Sequence, residues 1–335
     1  MSIPLHSKLR RMLRSSINYF LIKLSKKKLN IENIPSDKIN RILIVRINYR
    51  IGNIIFLTPL INALAKKMPH AKIDILIGAK FIAPILEPMN NVNVVYDTPR
   101  SLLKNPFKLI NKVKEINSNN YDLLISPVIS SGSANISTML INAQFKLGFY
   151  CEKTWGAANI TIPYPDKTAH EALIPLALMK AFKSEHEYLS HLLDINLSKN
   201  ERARGENYLE SLLEKHNINK HAENTVIGVF RDARHDKKIE DGWWQPFLEQ
   251  LLIKNPHYIL VDILPPNINE VIHSKGLPVS FDNLRELGCF MSSLDFFICA
   301  DTGPMHLASA SYTPSLLFSM PLQKISMVLL VNMTV

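Results

Sequence analysis

The feature that most constrains the fold is an alternation of short apolar runs with longer amphipathic segments. In the first half of the chain, the runs that predict strands are 41–47, 72–78, 92–96, 121–126 and 146–149. Helical spacing of apolar residues predicts helices at 54–67 and 107–116. A repeated strand-helix-strand order predicts a parallel sheet with helices on its faces.

The alternation returns in the second half, after a predicted helical stretch from His170 to Lys215. Strands predicted at 225–230, 258–264 and 295–300 alternate there with helices predicted at 243–254, at 284–291 and from Met305. We therefore expect an α/β protein with two Rossmann-like, doubly wound parallel-sheet domains facing a central cleft that binds ligands. The expected division is a basic amphipathic arm (1–38), a first domain (39–195) and a second domain (196–335).

Composition excludes several classes of protein. A chain of 335 residues that is 47% hydrophobic can bury more than one core. Cys151, Cys289 and Cys299 have neither a disulfide framework nor metal-ligand spacing, so we expect buried thiols in a reducing cytoplasm. The 11 glycines form neither a G-x-G-x-x-G nor a Walker motif, which argues against a dinucleotide dehydrogenase and a P-loop ATPase.

The positive charge is concentrated at the start of the chain. Eight cations lie between Lys8 and Lys28 without any acid before Glu32, whereas the whole chain has a net charge of +10. The remainder is therefore nearly neutral, which disfavours a nucleic-acid-binding protein. Apolar residues at three- and four-residue spacing in 8–28 predict either contact with an anionic inner-membrane surface or a solvated basic tail. No segment approaches the roughly 20 apolar residues of a membrane span.

The stretch FICADTGPMHLASA (297–310) carries the most specific chemistry. A strand that ends at Ala300 would deliver Asp301, Thr302 and Gly303 to a helix start, where unpaired amides favour anions. A hydroxyl and a glycine suit a phosphate, and a carboxylate suits sugar hydroxyls, so the combination predicts a nucleotide sugar. In the structural alternative, Thr302 merely caps the helix and His306 is a core residue. Aspartic proteases also contain Asp-Thr-Gly, but the strand-helix alternation argues against that β-rich fold.

Two further loops carry candidate residues. After the strand 41–47, a turn at 49–52 precedes a helix predicted to open at Asn53, a good N-cap residue. After the strand 225–230, the loop offers cations at a carboxyl end of the second sheet, namely Arg231, Arg234, Lys237 and Lys238. These cations would stabilise a departing nucleoside diphosphate, or they belong to a solvated charged loop.

Taken together, these stretches resemble glycosyltransferase family 9, the lipopolysaccharide heptosyltransferases that use ADP-heptose. The similarity spans about residues 40–318 and rests on RIGN…FLTPLINALAKKMPHAKIDIL and FICADTGPMHLASA. The resemblance implies a GT-B fold and a cytoplasmic enzyme, peripheral on the inner membrane, that transfers heptose or a related sugar to a lipid A-core acceptor with inversion. The first domain would hold the acceptor and the second the nucleotide sugar. No cofactor and no metal are expected, because no paired-acid motif is arranged for a diphosphate-bound cation.

The resemblance also implies roles for individual residues. Asp301 would hold the heptose, Thr302 and Gly303 would contact the diphosphate, and His306 would support their loop. Lys237 matches the phosphate-binding lysine, with Lys238 as the neighbouring possibility. Asp282 or Asp262 would contact the adenosine.

The chain departs from the family pattern at two places. Gly52 and Asn53 stand where the family commonly has Gly-Asp, whose aspartate is the general base for the acceptor hydroxyl. Neutral asparagine cannot accept that proton. Either Asn53 orients the acceptor while another acid acts, or turnover is slow, or the protein is a catalytically silent sugar-nucleotide or glycolipid binder. After 313–318 the family continues with a glycine and a further segment, whereas 319–335 differs and predicts a truncated or frame-shifted tail.

Overall fold

The computed structural model describes residues 33–99, 105–129, 131–150, 157–165, 170–183, 190–234, 237–266, 268–319 and 326–330. The predicted membrane-surface segment 8–28 lies outside these residues, and so does Cys151. No helix of the described part is long and apolar enough to cross a membrane.

The first of two compact units contains the described residues up to Tyr49 together with Pro59–Ala83 and Asn90–Ser190. Its sheet has the order β3-β2-β1-β4-β5-β6, and all neighbouring strands are parallel. The strands are β1 (Arg41–Arg46), β2 (Lys72–Ile77), β3 (Val92–Asp97), β4 (Tyr121–Ser126), β5 (Ala143–Tyr150) and β6 (Ile160–Pro163). The helices of this half of the chain are α1 (Ile51–Ile55), α2 (Thr58–Lys67), α3 (Ala83–Leu86), α4 (Pro106–Asn117), α5 (Gly132–Leu140) and α6 (Leu173–Leu176).

The second unit contains the described residues after Ser190 and two segments from the first half, Arg50–Thr58 and Pro84–Met89. Its sheet has the order β12-β11-β10-β7-β8-β9, in which β12 alone is antiparallel to its neighbour. The strands are β7 (Thr225–Phe230), β8 (Tyr258–Ile263), β9 (Leu277–Val279), β10 (Phe296–Ala300), β11 (Ser315–Ser319) and β12 (Ser326–Leu330). The helices are α7 (Lys199–Lys215), α8 (Asp241–Lys254), α9 (Leu284–Met291) and α10 (Gly303–Ala310).

Each sheet is the centre of its own apolar core. In the first unit, Leu43 and Val45 of β1 pack with Ile116 of α4 and Ala134 of α5 on one face of the sheet. In the second unit, Trp244 of α8 is fully buried among residues of β7, β8 and β10. Strands buried on both faces read as continuous apolar runs, which is why β1 and β7 stand out in the sequence.

The expected fold class is confirmed: the chain forms two Rossmann-like α/β domains. Both sheets have the doubly wound order in which the first strand of the unit lies beside the fourth. Cys289 and Cys299 are buried free thiols, as expected. Burial raises the pKa of both thiols.

Three predicted helices differ most from the observed ones. The segment 54–67 is two helices, α1 and α2, because the chain leaves the regular helix between Ile55 and Thr58. The stretch from His170 to Lys215 is not one helix: α6 and a 3₁₀ turn (Ala177–Ala181) come first, and α7 starts only after the capping box formed by Ser198 and Glu201. The helix expected from Met305 already begins at Gly303.

Candidate functional site

The loops after β7 and β10 lie next to each other in the second unit. β10 pairs with β7, with Cys299 opposite Phe230 at the carboxyl ends of the two strands. Chain connections leave β7 toward β8 on one side, and β10 continues toward β11 on the other. The boundary between β7 and β10 is therefore a topological switch point, where open α/β sheets bind ligands.

Lys237 and Asp301 meet at this switch point. The Lys237 ammonium donates a hydrogen bond to the Asp301 carboxylate, although 64 residues separate them. The side chains are 56% and 33% exposed, so a ligand has access to both partners. Lys238 is turned elsewhere, since its Nζ lies 3.8 Å from Oδ1 of Asp232. Of the two candidate lysines, the structure therefore brings Lys237 to the aspartate.

Thr302 and Gly303 form the start of α10. Thr302 is the N-cap residue in an extended conformation, and its side chain makes no capping hydrogen bond. The hydroxyl is thus not used for the helix, in contrast to the structural alternative. The amides of Gly303 and Met305 in the first helical turn lack carbonyl partners within the helix, whereas Pro304 has no amide hydrogen. The two amides make this end a suitable place for an anion.

His306 lies against α1, so the two sequence motifs meet within the second unit. A Cβ atom on Gly52 would lie 2.3 Å from Cδ2 of His306, closer than carbon atoms approach. The His306 ring also packs edge-on against Phe56, with 4.7 Å between ring centroids. A Cβ atom on Gly303 would meet Cβ of Ile51 at 3.1 Å. Both glycines therefore permit close packing of α1 on α10.

The prediction that Asn53 caps a helix is wrong. α1 begins at Ile51 with Arg50 in the N-cap position, and Asn53 is the half-buried third residue of the helix. Gly52, without a side chain, lets the first turn of this helix pack against the His306 ring. Asn53 has interactions of its own within the structure.

Arg231 was grouped with the loop cations, but it is buried. Its guanidinium donates to the Glu270 carbonyl and lies 3.4 Å from Oδ2 of Asp241. Asp262 is fully buried as well and accepts the Ile272 amide at 2.6 Å. Burial raises the pKa of Asp262, and the hydrogen bond from Ile272 and the Arg231 charge act in the opposite direction. These contacts show that Arg231 and Asp262 hold loops at the carboxyl edge of the sheet. Of the other predicted loop cations, Arg234 is exposed.

Asp282 is exposed and follows β9 at the same edge of the sheet. β7 and β8 separate β9 from β10, which corresponds to about 14 Å at the usual strand spacing. Asp282 is therefore not brought next to Asp301, and its assignment to adenosine stays a prediction.

Arg46 in the first unit is a candidate site residue that the sequence interpretation did not single out. It ends β1, which lies beside β4 at the switch point of the first sheet. Burial lowers the pKa of Arg46, whereas the nearby Glu171 and Tyr164 raise it. The signal in the sequence was a cation directly after a buried apolar run.

Among the described residues, no group of three or more His, Cys, Asp or Glu side chains is arranged to hold a metal ion.

Comparisons with known proteins agree with the sequence motifs. No family model matches the chain. Lipopolysaccharide heptosyltransferase 3 of Escherichia coli is 23% identical over 278 residues, which cover 78% of this chain and 78% of that protein. The resemblance to glycosyltransferase family 9 is confirmed.

Solved structures share the fold. A family 9 glycosyltransferase of Veillonella parvula superposes with a TM-score of 0.65 at 16% identity, over 83% of this chain and 80% of that one. An Escherichia coli heptosyltransferase with ADP-2-deoxy-2-fluoro heptose gives a TM-score of 0.62 at 16% identity, over 85% of this chain and 91% of that one. These similarities confirm the GT-B fold, and with the curated relative they confirm the prediction of an enzyme of the glycosyltransferase type.

Proposed function

We propose that the protein transfers heptose, or a related sugar, from an ADP-sugar to the inner core of lipopolysaccharide. The observation that carries this proposal is the meeting of Lys237 and Asp301 at the switch point of the second sheet. A cation suits the diphosphate, and a carboxylate suits sugar hydroxyls. The relative named for lipopolysaccharide and the relative solved with an ADP-heptose analogue support the choice of donor and acceptor.

In the proposed inverting reaction, an acceptor hydroxyl attacks the anomeric carbon and ADP departs. Lys237 and the amides at the start of α10 would stabilise the charge that develops on the diphosphate. Asp301 would orient the sugar through its hydroxyl groups. We predict that this step requires neither a cofactor nor a metal ion.

The acceptor hydroxyl must lose a proton, and Asn53 cannot take it. Arg46, at the switch point of the first sheet, suits an anionic acceptor in the domain that we assign to the acceptor.

Because Asn53 cannot act as the base, a second candidate function remains: a catalytically silent protein of the same fold that binds a sugar nucleotide or a glycolipid. Donor binding without transfer to a lipid A-core acceptor would favour this second function.

The donor assignment is tested by thermal shift with ADP-, UDP-, GDP- and CMP-sugars, followed by transfer assays with the lipid acceptor. We expect stabilisation by ADP-heptose above the others. Preference for another nucleotide would overturn the heptose assignment.

The ion pair makes a sharper test, because each partner should act on a different part of the donor. Lys237→Ala should weaken ADP binding about ten- to a hundredfold, since charge-assisted hydrogen bonds contribute about 1.5–3 kcal/mol. Asp301→Ala releases Lys237 from its partner, so ADP affinity should be kept or rise while the preference for ADP-heptose over ADP is lost.

Lys238→Ala is the matched control, because this neighbouring lysine faces Asp232 instead. In Lys237→Ala, the Asp301 carboxylate is left unpaired beside the diphosphate, so adding Asp301→Ala should recover part of the ADP affinity. If Lys238→Ala binds ADP more weakly than Lys237→Ala does, the phosphate-binding role belongs to Lys238.

We also propose that the protein is cytoplasmic and that segment 8–28 holds it at the anionic inner membrane. The eight cations of this segment and its apolar spacing support the proposal.

A further inference from the structure

The outer surface of α4 and α5 exposes large apolar side chains. Phe107 and Ile110 of α4 are 80% and 51% exposed. Ile136, Met139 and Leu140 of α5 are 40% to 42% exposed. Amphipathic helices on a sheet normally turn polar residues toward solvent, so these exposed apolar side chains depart from the usual pattern. We call these five side chains and the lysines between them the α4–α5 surface.

The two helices lie side by side on one face of the first sheet. Ile116 of α4 and Ala134 of α5 belong to the same buried cluster. The Asn117 side chain links the helix ends: its Nδ2 donates to the Leu140 carbonyl at 3.2 Å, and its Oδ1 accepts the Asn142 amide at 2.7 Å. Because both helices return between parallel strands, they run in the same direction, and their outward sides form one surface.

The net charge of this surface is positive. Lys108 and Lys114 are exposed on α4. Glu115 is paired with Lys112, whose Nζ lies 3.1 Å from Oε1 of the carboxylate. The sequence 123–145, which includes all of α5, contains no charged residue. Exposed apolar side chains next to exposed lysines complement a surface of anionic headgroups over acyl chains.

We propose that the α4–α5 surface docks on an anionic lipid surface, with Phe107, Ile136 and Met139 entering the headgroup boundary and Lys108 and Lys114 contacting the headgroups. This docking is distinct from segment 8–28 and does not depend on the proposed transfer reaction. An uncharged helix with exposed apolar side chains, next to a helix that exposes lysines, fits an anionic lipid surface.

The first experiment locates the contact in the full-length protein. An environment-sensitive dye is attached at Met139→Cys, and at Ile253→Cys as the matched control, because Ile253 is 61% exposed on α8 of the other unit. Wild-type protein treated with the dye gives the background from its own cysteines. Vesicles of phosphatidylcholine with or without about 30% phosphatidylglycerol are then added.

We expect a blue shift of emission at position 139 with the anionic vesicles only, and none at position 253. The proposal would be overturned if the protein binds the vesicles but the emission of the dye at position 139 does not change. A blue shift at 139 that appears without vesicles and grows with protein concentration would also overturn it, because a second copy of the chain would then cover the surface.

The second experiment measures the energetic contribution. Reversing two charges with Lys108→Glu and Lys114→Glu should weaken binding to anionic vesicles about 25-fold or more at low salt, since each surface cation contributes about fivefold. The matched control reverses Lys199 and Lys254, which are exposed in the second unit. Equal losses in both double variants would indicate a nonspecific effect of net charge and would refute docking through this surface.

Discussion

Substitution of Gly52 by alanine tests the packing that joins the two motifs of the site. The backbone of Gly52 has no positive φ, so alanine is sterically allowed there, and alanine in a helix is normally favoured by about 1 kcal/mol. However, the new Cβ atom would lie 2.3 Å from the His306 ring. The helices must separate by about 1 Å to restore van der Waals contact. Overpacking of this kind costs about 1–3 kcal/mol, so we expect a net loss of up to about 2 kcal/mol.

Gly242→Ala provides the matched control. Gly242 is also helical, and nothing lies within 4 Å of the position that its Cβ atom would take, so alanine should only stabilise. Urea unfolding is followed by tryptophan fluorescence in a Trp155→Phe background, so that Trp243 and Trp244 of the second unit give the signal. The double variant Gly52→Ala/His306→Ala should lose less than the sum of the single variants, by about 1–3 kcal/mol. Equal stabilisation by Gly52→Ala and Gly242→Ala would refute the close packing of α1 on α10.

Three further changes test other parts of the structure. Hydrogen bonds from Arg285 and from Ser198 lower the pKa of Glu201 to about 2, below its usual 4.5, so the ionised carboxylate contributes stability above about pH 5 that is lost as the pH falls toward 2. The loss of stability in Glu201→Gln, measured by urea unfolding, should therefore shrink between pH 5 and pH 2, and a loss that does not change with pH would contradict this account. If the missing base limits the reaction, Asn53→Asp should raise the transfer rate about 10²–10⁴-fold and add an acidic limb to the pH–rate profile. A slower or unchanged rate would contradict the hypothesis of a missing base. Deletion of residues 1–30 should keep ADP-sugar binding but weaken sedimentation with anionic vesicles, and unchanged sedimentation would make this segment a solvated tail.

The central strands could be predicted from the sequence because burial on both faces makes them continuous apolar runs. β7 was predicted with its observed bounds, and β1 within one residue. The strands β6 and β9 were missed because they are short edge strands that contain Pro163 and Pro278. Proline lacks the amide that a central strand requires and therefore weakens the strand signal.

The helices show where periodicity misleads. α5 was missed because its sequence, GSANISTML, is rich in small and β-branched residues and has no charged face. The residues after His170 are apolar enough to predict a long helix, yet the 3₁₀ turn ends at Ala181, and the backbone is left-handed at Asn196 and extended at Ser198. The Ser-x-x-Glu pattern at Ser198 and Glu201 is the sequence signal for the start of α7, and it forms a capping box in the structure.

The meeting of Lys237 and Asp301 followed in outline from the sequence, because both follow strands whose carboxyl ends share one edge of a sheet. The contact between Gly52 and His306 could not be predicted, since it depends on how α1 packs and 254 residues separate the two. The segment Arg50–Thr58 is grouped with the second unit although it lies early in the chain. Asn53 thus lies on α1, which packs on α10, and α10 begins directly after Asp301 and Thr302. A change at Asn53 can therefore alter donor binding as well as acceptor activation, so the Asn53→Asp rate must be measured at saturating donor to test the missing base alone.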